Sequence, residues 1–274
     1  MNDKELVKKE ENASEENTSE KSISKEDSSK KVTAWKIAAL EKNRLSMDDM
    51  LSFSCDNCGE CCKHQNDLIM NPYDIFRLAK RLDLTPKEWM DLYADVYIGS
   101  ESRVPVVRIK MIGDEMHCPF LKNNRCTLHR FKPDVCALYP LGRAICYHDD
   151  PKEITTNEPE VVYFHSGCKC GTEQNGQTVK KWLDSFGLME REHFFIRWTK
   201  VIREVSAFVR SLEKTMDDEE ILKTIWGLII LQLYADYDIH QDFEPQFEKN
   251  FKELQEHMEK IQGIRRAYHE GELQ

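Results

Sequence analysis

The sequence holds ten cysteines, and all of them fall between Cys55 and Cys170. Thiolates are soft ligands that suit zinc, iron and iron–sulfur clusters, and paired thiols also do redox chemistry. The densest group reads Phe53-Ser-Cys55-Asp-Asn-Cys58-Gly-Glu-Cys61-Cys62. Cysteines separated by two residues can turn both sulfurs toward one ion, and Gly59 permits the tight turn that wraps backbone around it. The spacing of Cys55, Cys58 and Cys61 also matches three ligands of a ferredoxin-type cluster segment. Cys61 and Cys62 are neighbours whose side chains diverge, which hints at more than one metal atom or at two corners of a cluster.

A second group follows with Cys118-Pro119, Cys126 and Cys136. Pro119 stiffens the turn after Cys118, and Asn123-Asn124 predict a turn that brings Cys126 back toward Cys118. Cys146 stands alone, and Gly167-Cys168-Lys169-Cys170-Gly171 holds the last two thiols, either to clamp an ion or to form a redox pair. The plainer reading, buried thiols without a metal, suits isolated cysteines better than four within eight residues. Metal ligation by Cys55, Cys58, Cys61, Cys62, Cys118, Cys126, Cys136, Cys146, Cys168 and Cys170 is therefore the expectation.

The motifs F-x-C-x2-C-G-x-C-C, C-P-F-L, C-x-L and K-P-x-x-C-x-x-Y-P, in that order, resemble the YkgJ-like, CxxCxxCC family of zinc- or iron-chelating cysteine-cluster proteins. The resemblance covers residues 53–142 and carries the family's pattern to Cys55, Cys58, Cys61, Cys62, Cys118, Cys126 and Cys136. It departs at His129, where the family usually has an aromatic residue, and at Lys132 and Ala137, where it has arginine. Cys146, Cys168, Cys170 and the chain after about residue 176 lie outside the matched part. Family members have been described as iron–sulfur oxidoreductases and, in flagellated bacteria, as relatives of a flagellin lysine methylase. The resemblance thus implies a bound metal and leaves the activity open.

Other chemistries leave little trace. None of the nine histidines forms an H-x3-H pair. His64, His117, His129, His148 and His165 lie near cysteines, so mixed Cys/His ligation is open, although the thiols already suffice in number. There is no phosphate loop of the G-x4-G-K-[ST] type, no G-x-G-x2-G and no G-x-S-x-G. The lack of a glycine-rich S-adenosylmethionine loop weighs against a methylase. Asp236, Asp238, Asp242 and Glu244 read as a solvated loop, with divalent-ion binding as the alternative.

Composition bounds the partners. The 274 residues include 49 acidic and 39 basic ones, for a formal net charge of −10. Lysine and arginine are interleaved with acids, so neither a nucleic-acid partner nor an anionic membrane surface is expected. The longest apolar run, Ile225 to Leu231, is far short of the roughly 20 residues a spanning helix needs. The N-terminus has no apolar stretch of the secretory kind. A cytoplasmic protein is expected, and in a reducing compartment clustered thiols are metal or redox groups rather than disulfides.

These thiols need elements to position them. Residues 1–32 are nearly all charged or polar and predict a disordered tail. Residues 33–172 form the predicted cysteine-cluster domain, and 173–274 a helical region. A short helix is predicted over Ala34–Lys42 and a strand over Asp67–Met70. Asn71-Pro72 predicts a helix start, with Ile75, Leu78 and Leu82 on one face. Thr85-Pro86-Lys87-Glu88 predicts a capping box for a helix carrying Trp89, Leu92, Tyr93 and Val96. Val104–Ile112 predicts a strand, placed at a sheet edge by Pro105. Residues 118–171 read as loops with short helical turns. After them, a short helix over Gln177–Phe186, a long one through Phe194, Val201, Val205, Val209 and Leu212, one over Asp218–Tyr234, and one through Phe247, Phe251, Leu254, Met258 and Ile261 are predicted. Those stripes suit a packed bundle, or alternatively a surface for a protein partner.

The fold expected is mainly α with few short strands, an irregular Cys-rich metal module followed by a C-terminal helical bundle. The leading expectation is an iron–sulfur cluster or iron, with a redox role. The alternatives are a structural zinc module in an interaction protein and a protein-modifying enzyme with a substrate cleft between module and helices.

Overall fold

The computed structural model describes residues 40–66, 68–146, 159–167, 176–215 and 218–269. The predicted tail, most of the first predicted helix, Asp67, His148, Cys168 and Cys170 lie outside the described residues. The elements below belong to the compact unit Leu45–Gln274, which is mainly α-helical with short strands.

Helix α1, Pro72–Leu82, begins where Asn71 accepts from the backbone N–H of Asp74, with proline in the first turn. Such a cap satisfies one of the orphan amides that every helix start exposes. Helix α2, Pro86–Tyr93, has the predicted capping box between Thr85 and Glu88. It stops at Tyr93 rather than running through Val96. Residues Ala94–Ile98 form strand β3, paired antiparallel over five residues with β4, Pro105–Ile109. Backbone pairing and the β-branched Val96 and Ile98 outweigh the helical spacing, and Val96 ends on the sheet with its side chain exposed. Strand β2, Ile69–Met70, pairs with the other side of β4, so the order is β2-β4-β3. The strand with Pro105 is therefore central, not an edge. Pro105 is tolerated because it is the first residue of the strand.

Short strand β1, Met50–Leu51, pairs with β9, Gln177–Thr178, and helix α4, Val179–Ser185, starts on a Thr178 cap. Two of the residues predicted as helix are thus strand. Between them the chain is more ordered than the loop-rich reading of 118–171 expects. Strands β5, Leu121–Lys122, and β6, Arg125–Cys126, form a hairpin closed by Asn123 and Asn124, both at positive φ. Two left-handed residues give the turn whose twist matches antiparallel strands, and asparagine tolerates that conformation. After helix α3, Asp134–Leu138, strands β7, Leu141–Cys146, and β8, Glu160–His165, pair over six residues.

The C-terminal part follows the apolar stripes closely. Helices α5, Glu192–Glu213, α6, Glu219–Ile230, and α7, Phe243–His269, supply Val201, Val205, Phe208, Ile229, Phe247, Phe251 and Leu254 to one apolar cluster. That cluster also contains Cys62, Met70, Trp89, Val107 and Cys118, so the helices and the cysteine segment share a core. A second cluster gathers Leu51, Phe53, Ala137, Leu138, Tyr163, Trp182 and Leu183. Helix α3 sits on the seam: Val135 and Cys136 pack on the first cluster, Ala137 and Leu138 within the second. No described helix is long and apolar enough to cross a membrane.

Candidate metal centre

The first cysteine segment is stitched to the second by its backbone. The amide of Cys118 donates to the carbonyl of Cys62 at 2.8 Å, and that of His64 to Met116 at 2.7 Å. Lys63 and His117 face each other as an isolated antiparallel bridge. Cys61 and Cys62 lie in a single 3-10 turn, Glu60–Cys62, that starts from Gly59 at φ 79°. A Cβ on Gly59 would stand 2.7 Å from the carbonyl oxygen of Asn124 and 3.0 Å from Leu121 Cδ1. Glycine is thus required twice, for its left-handed backbone and for the approach of the β5–β6 hairpin. Gly59→Ala is expected to destabilise the protein by more than about 2 kcal/mol, from left-handed strain plus a backbone clash. Denaturant unfolding checks it, and a variant as stable as the parent would mean that this loop does not rest on the hairpin.

These contacts bring Cys61, Cys62, Cys118, Cys126 and Cys136 to one cleft of about 440 Å³. Cys61, Cys62 and Cys126 also form, with Cys55 and Cys58, the wall of a neighbouring void of about 20 Å³. The smaller space has room for one water or ion, the larger for a small organic molecule. Cys62 is the shared hydrogen-bond partner of Cys61 and Cys126. That bond, helped by the charge of Lys132, lowers the Cys61 thiol to about 6. The bond from Cys62 and one from the backbone of Leu128 bring Cys126 to about 7. Cys62 itself is pushed up, because it keeps the proton between them. Burial raises Cys118 to about 11 and holds Cys136 well above the ordinary thiol range. Cys61 is therefore largely thiolate and Cys126 about half so at neutral pH, the form that ligates metals.

The eight described cysteines are not in disulfides. Seven of them meet at the two spaces just described. Cys146 does not: it ends strand β7, five residues beyond Leu141, which lines the cleft. At about 3.3 Å per strand residue that is some 16 Å away along the strand. Of the histidines weighed as ligands, His129 lines the smaller void and His117 forms part of the backbone stitch. Among the described residues, no three His, Cys, Asp or Glu side chains are already arranged around one point as a metal's ligand set. The seven sulfurs line adjoining spaces, Cys62 is hydrogen-bonded to Cys61 and Cys126, and as a donor set they fit zinc or iron.

What holds Cys136 in place was not legible in the motifs. The carboxylate of Asp74 accepts from the amide of Asp134 at 2.8 Å and from Arg77, whose guanidinium also donates to the carbonyl of Lys132 at 3.2 Å. Asp134 in turn accepts from Arg143 at 2.9 Å and Arg191 at 3.0 Å. A buried ionic lattice from α1, β7 and the turn before α5 thus clasps the Lys132–Cys136 segment from behind. Trp182 closes it from the other end, donating to the carbonyl of Ala137 at 3.1 Å. Spacing cannot reveal such a lattice, since its members are spread from residue 74 to residue 191 and each looks like an ordinary surface charge.

Burial, and then the charge of Asp134, lift the Asp74 carboxyl to about 6. A carboxyl raised in the folded state holds a proton that the unfolded chain has lost between its ordinary value and 6. This contribution favours folding fully below about pH 4 and is lost as pH rises through 6. Relative to wild type, Asp74→Asn is expected to gain about 2 kcal/mol of stability on going from pH 4 to pH 7. Urea unfolding of the two proteins across that range checks it, and parallel pH profiles would refute it.

Comparison with known proteins adds one observation. Residues 54–169 match the CxxCxxCC family model, described as a zinc- or iron-chelating domain. The match supports zinc or iron chelation by this segment. It includes all seven gathered cysteines and ends just before the C-terminal helices. No curated protein matches the chain. No solved structure matches it either.

Proposed function

We propose that the CxxCxxCC segment holds a centre of more than one metal atom, an iron–sulfur cluster or iron, and that it serves electron transfer or a redox step. The observation that carries this reading is the arrangement of seven thiols on two adjoining spaces that share Cys61, Cys62 and Cys126. One tetrahedral ion is satisfied by four thiolates, so seven exceed a single mononuclear site. Cys55 and Cys58 serve one side, Cys118 and Cys136 the other, and the shared three stand between them. A cluster bound there would supply one-electron chemistry, while the surrounding apolar side chains limit solvent access and set its potential.

Protein purified without oxygen is the test. Iron with acid-labile sulfide, and visible absorbance from thiolate-to-iron charge transfer, is the expected result. A colourless protein with zinc alone would overturn it in favour of a second reading, a structural zinc staple. The observation favouring the staple is that the thiols lie on the seam between two apolar clusters, where a closed site would add folding energy. Protein modification is the third reading. It needs a cleft, and the cleft lined by the cysteines has walls from residues 61–167, with none from the C-terminal helices.

A further inference from the structure

On the outer side of the β5–β6 hairpin lies an open groove of about 660 Å³ that none of the cysteines lines. Three cations face it from three separate elements: Arg81 from the last turn of α1, Lys122 from β5, and Arg130 from the 3-10 turn His129–Phe131. No aspartate or glutamate lines the groove. Among the described residues, no carboxylate lies within ion-pair distance of any of the three cations. Elsewhere on this chain of net charge −10, surface cations pair with acids, as Lys87 does with Asp91 and Lys223 with Glu220. Phe131 is 44 % exposed in the same groove, and the Arg81 guanidinium stands 5.1 Å from the centre of its ring. Arginine and aromatic side chains are the types enriched where proteins meet. Phe120 and Leu128 line both this groove and the larger thiol cleft, and His129 lines both the groove and the smaller void. The wall between groove and thiols is one side chain thick at these residues.

We infer that this groove docks an acidic segment of a partner protein, with its carboxylates on Arg81, Lys122 and Arg130 and an apolar side chain against Phe131. Cations held on three separate elements suit charges spaced along an extended chain. One compact anion would need donors converging on a single point, as in a bidentate fork. A nucleic-acid strand would carry its charge past the groove onto the rest of an acidic chain, and three cations neutralise few phosphates. A short acidic segment makes only the favourable contacts. A partner seated there would lie one side chain from the thiols, but the docking itself does not depend on which metal they hold.

The test uses the full chain as purified, at low salt, titrated by calorimetry with the capped peptide Glu-Glu-Phe-Glu-Glu, its neutral counterpart Gln-Gln-Phe-Gln-Gln, and a thymidine oligonucleotide. One-to-one binding of the acidic peptide is expected, roughly tenfold tighter than that of the neutral one, the yield of two or three exposed ion pairs. Added salt should weaken it. Arg130→Glu and Lys122→Glu should each erase most of that preference. Lys252→Glu, an equal change of charge at an exposed position of α7, should leave it intact. Equal affinity for the two peptides, or a loss from Lys252→Glu as large as that from Arg130→Glu, would overturn the inference. Tighter binding of the oligonucleotide than of the acidic peptide would overturn it in favour of a nucleic-acid partner. Metal content is measured in every sample. If Arg130→Glu loses metal, Lys122→Glu decides, because that side chain is exposed on the hairpin. A preference for the acidic peptide in colourless protein holding zinc alone would sink the redox reading and leave this one standing.

Discussion

Asp134→Ala is expected to lower the unfolding free energy by about 3–5 kcal/mol, the range for breaking a buried ion pair from one side. For a unit of this size that is a fall in Tm on the order of 10 °C. The Arg143 side chain is 2 % exposed and Arg191 13 %, and both direct a guanidinium at the Asp134 carboxylate. Without it two cations remain in a space that water barely reaches. Arg143 also lies 3.6 Å over the Phe195 ring, a contact too weak to replace the carboxylate. Because Asp134 is two residues from Cys136, the same variant should also bind less metal. Thermal unfolding with elemental analysis reads both effects. A loss below about 1 kcal/mol, as for a surface pair, would show that the lattice is not closed to solvent.

Stripping the metal is the second large effect. A ligand present at a thousandfold its Kd stabilises the folded state by about 4 kcal/mol, and structural thiolate sites often exceed that. Removal by a strong chelator should therefore destabilise the protein by about 4 kcal/mol or more. It should loosen first the residues on the seam, Cys136 to Tyr139 and the 3-10 turn at Cys61–Cys62, since neither stretch has regular structure longer than five residues. Hydrogen exchange of loaded and stripped protein would locate the change. Superimposable melting curves would mean that the thiols hold nothing that matters to the fold.

Much of the scaffold was legible before the structure. Asn71-Pro72 and the Thr85–Glu88 box are local devices, and local chemistry alone creates them. The stripes of α5 and α7 repeat over many turns, so the helical period cannot be mistaken. The Asn123-Asn124 turn likewise needs only two residues that tolerate positive φ. Misreadings arose where a partner strand decides. Val96 continues a helical spacing, yet β4 claims it, and Pro105 suggests an edge until β2 is found on the far side. Glu160–His165 carries Val161, Val162, Tyr163 and Phe164, a strand composition in plain view, but its distance along the sequence from Leu141–Cys146 hid the pairing.

The residue types and spacings alone pointed to a cysteine cluster and to the soft-metal chemistry that suits it, with ten thiols as candidates. Those facts need no long-range contact, because thiolate chemistry and two-residue spacing are properties of the chain itself. Only the tertiary structure decided that Cys146 stands apart, that Cys61, Cys62 and Cys126 divide two spaces, and that Lys132 is buried at their junction. It also revealed the Asp74–Asp134–arginine lattice behind Cys136. Each of these depends on groups far apart in sequence being excluded from water together, and burial is a property of the packed molecule that no short stretch of residues contains.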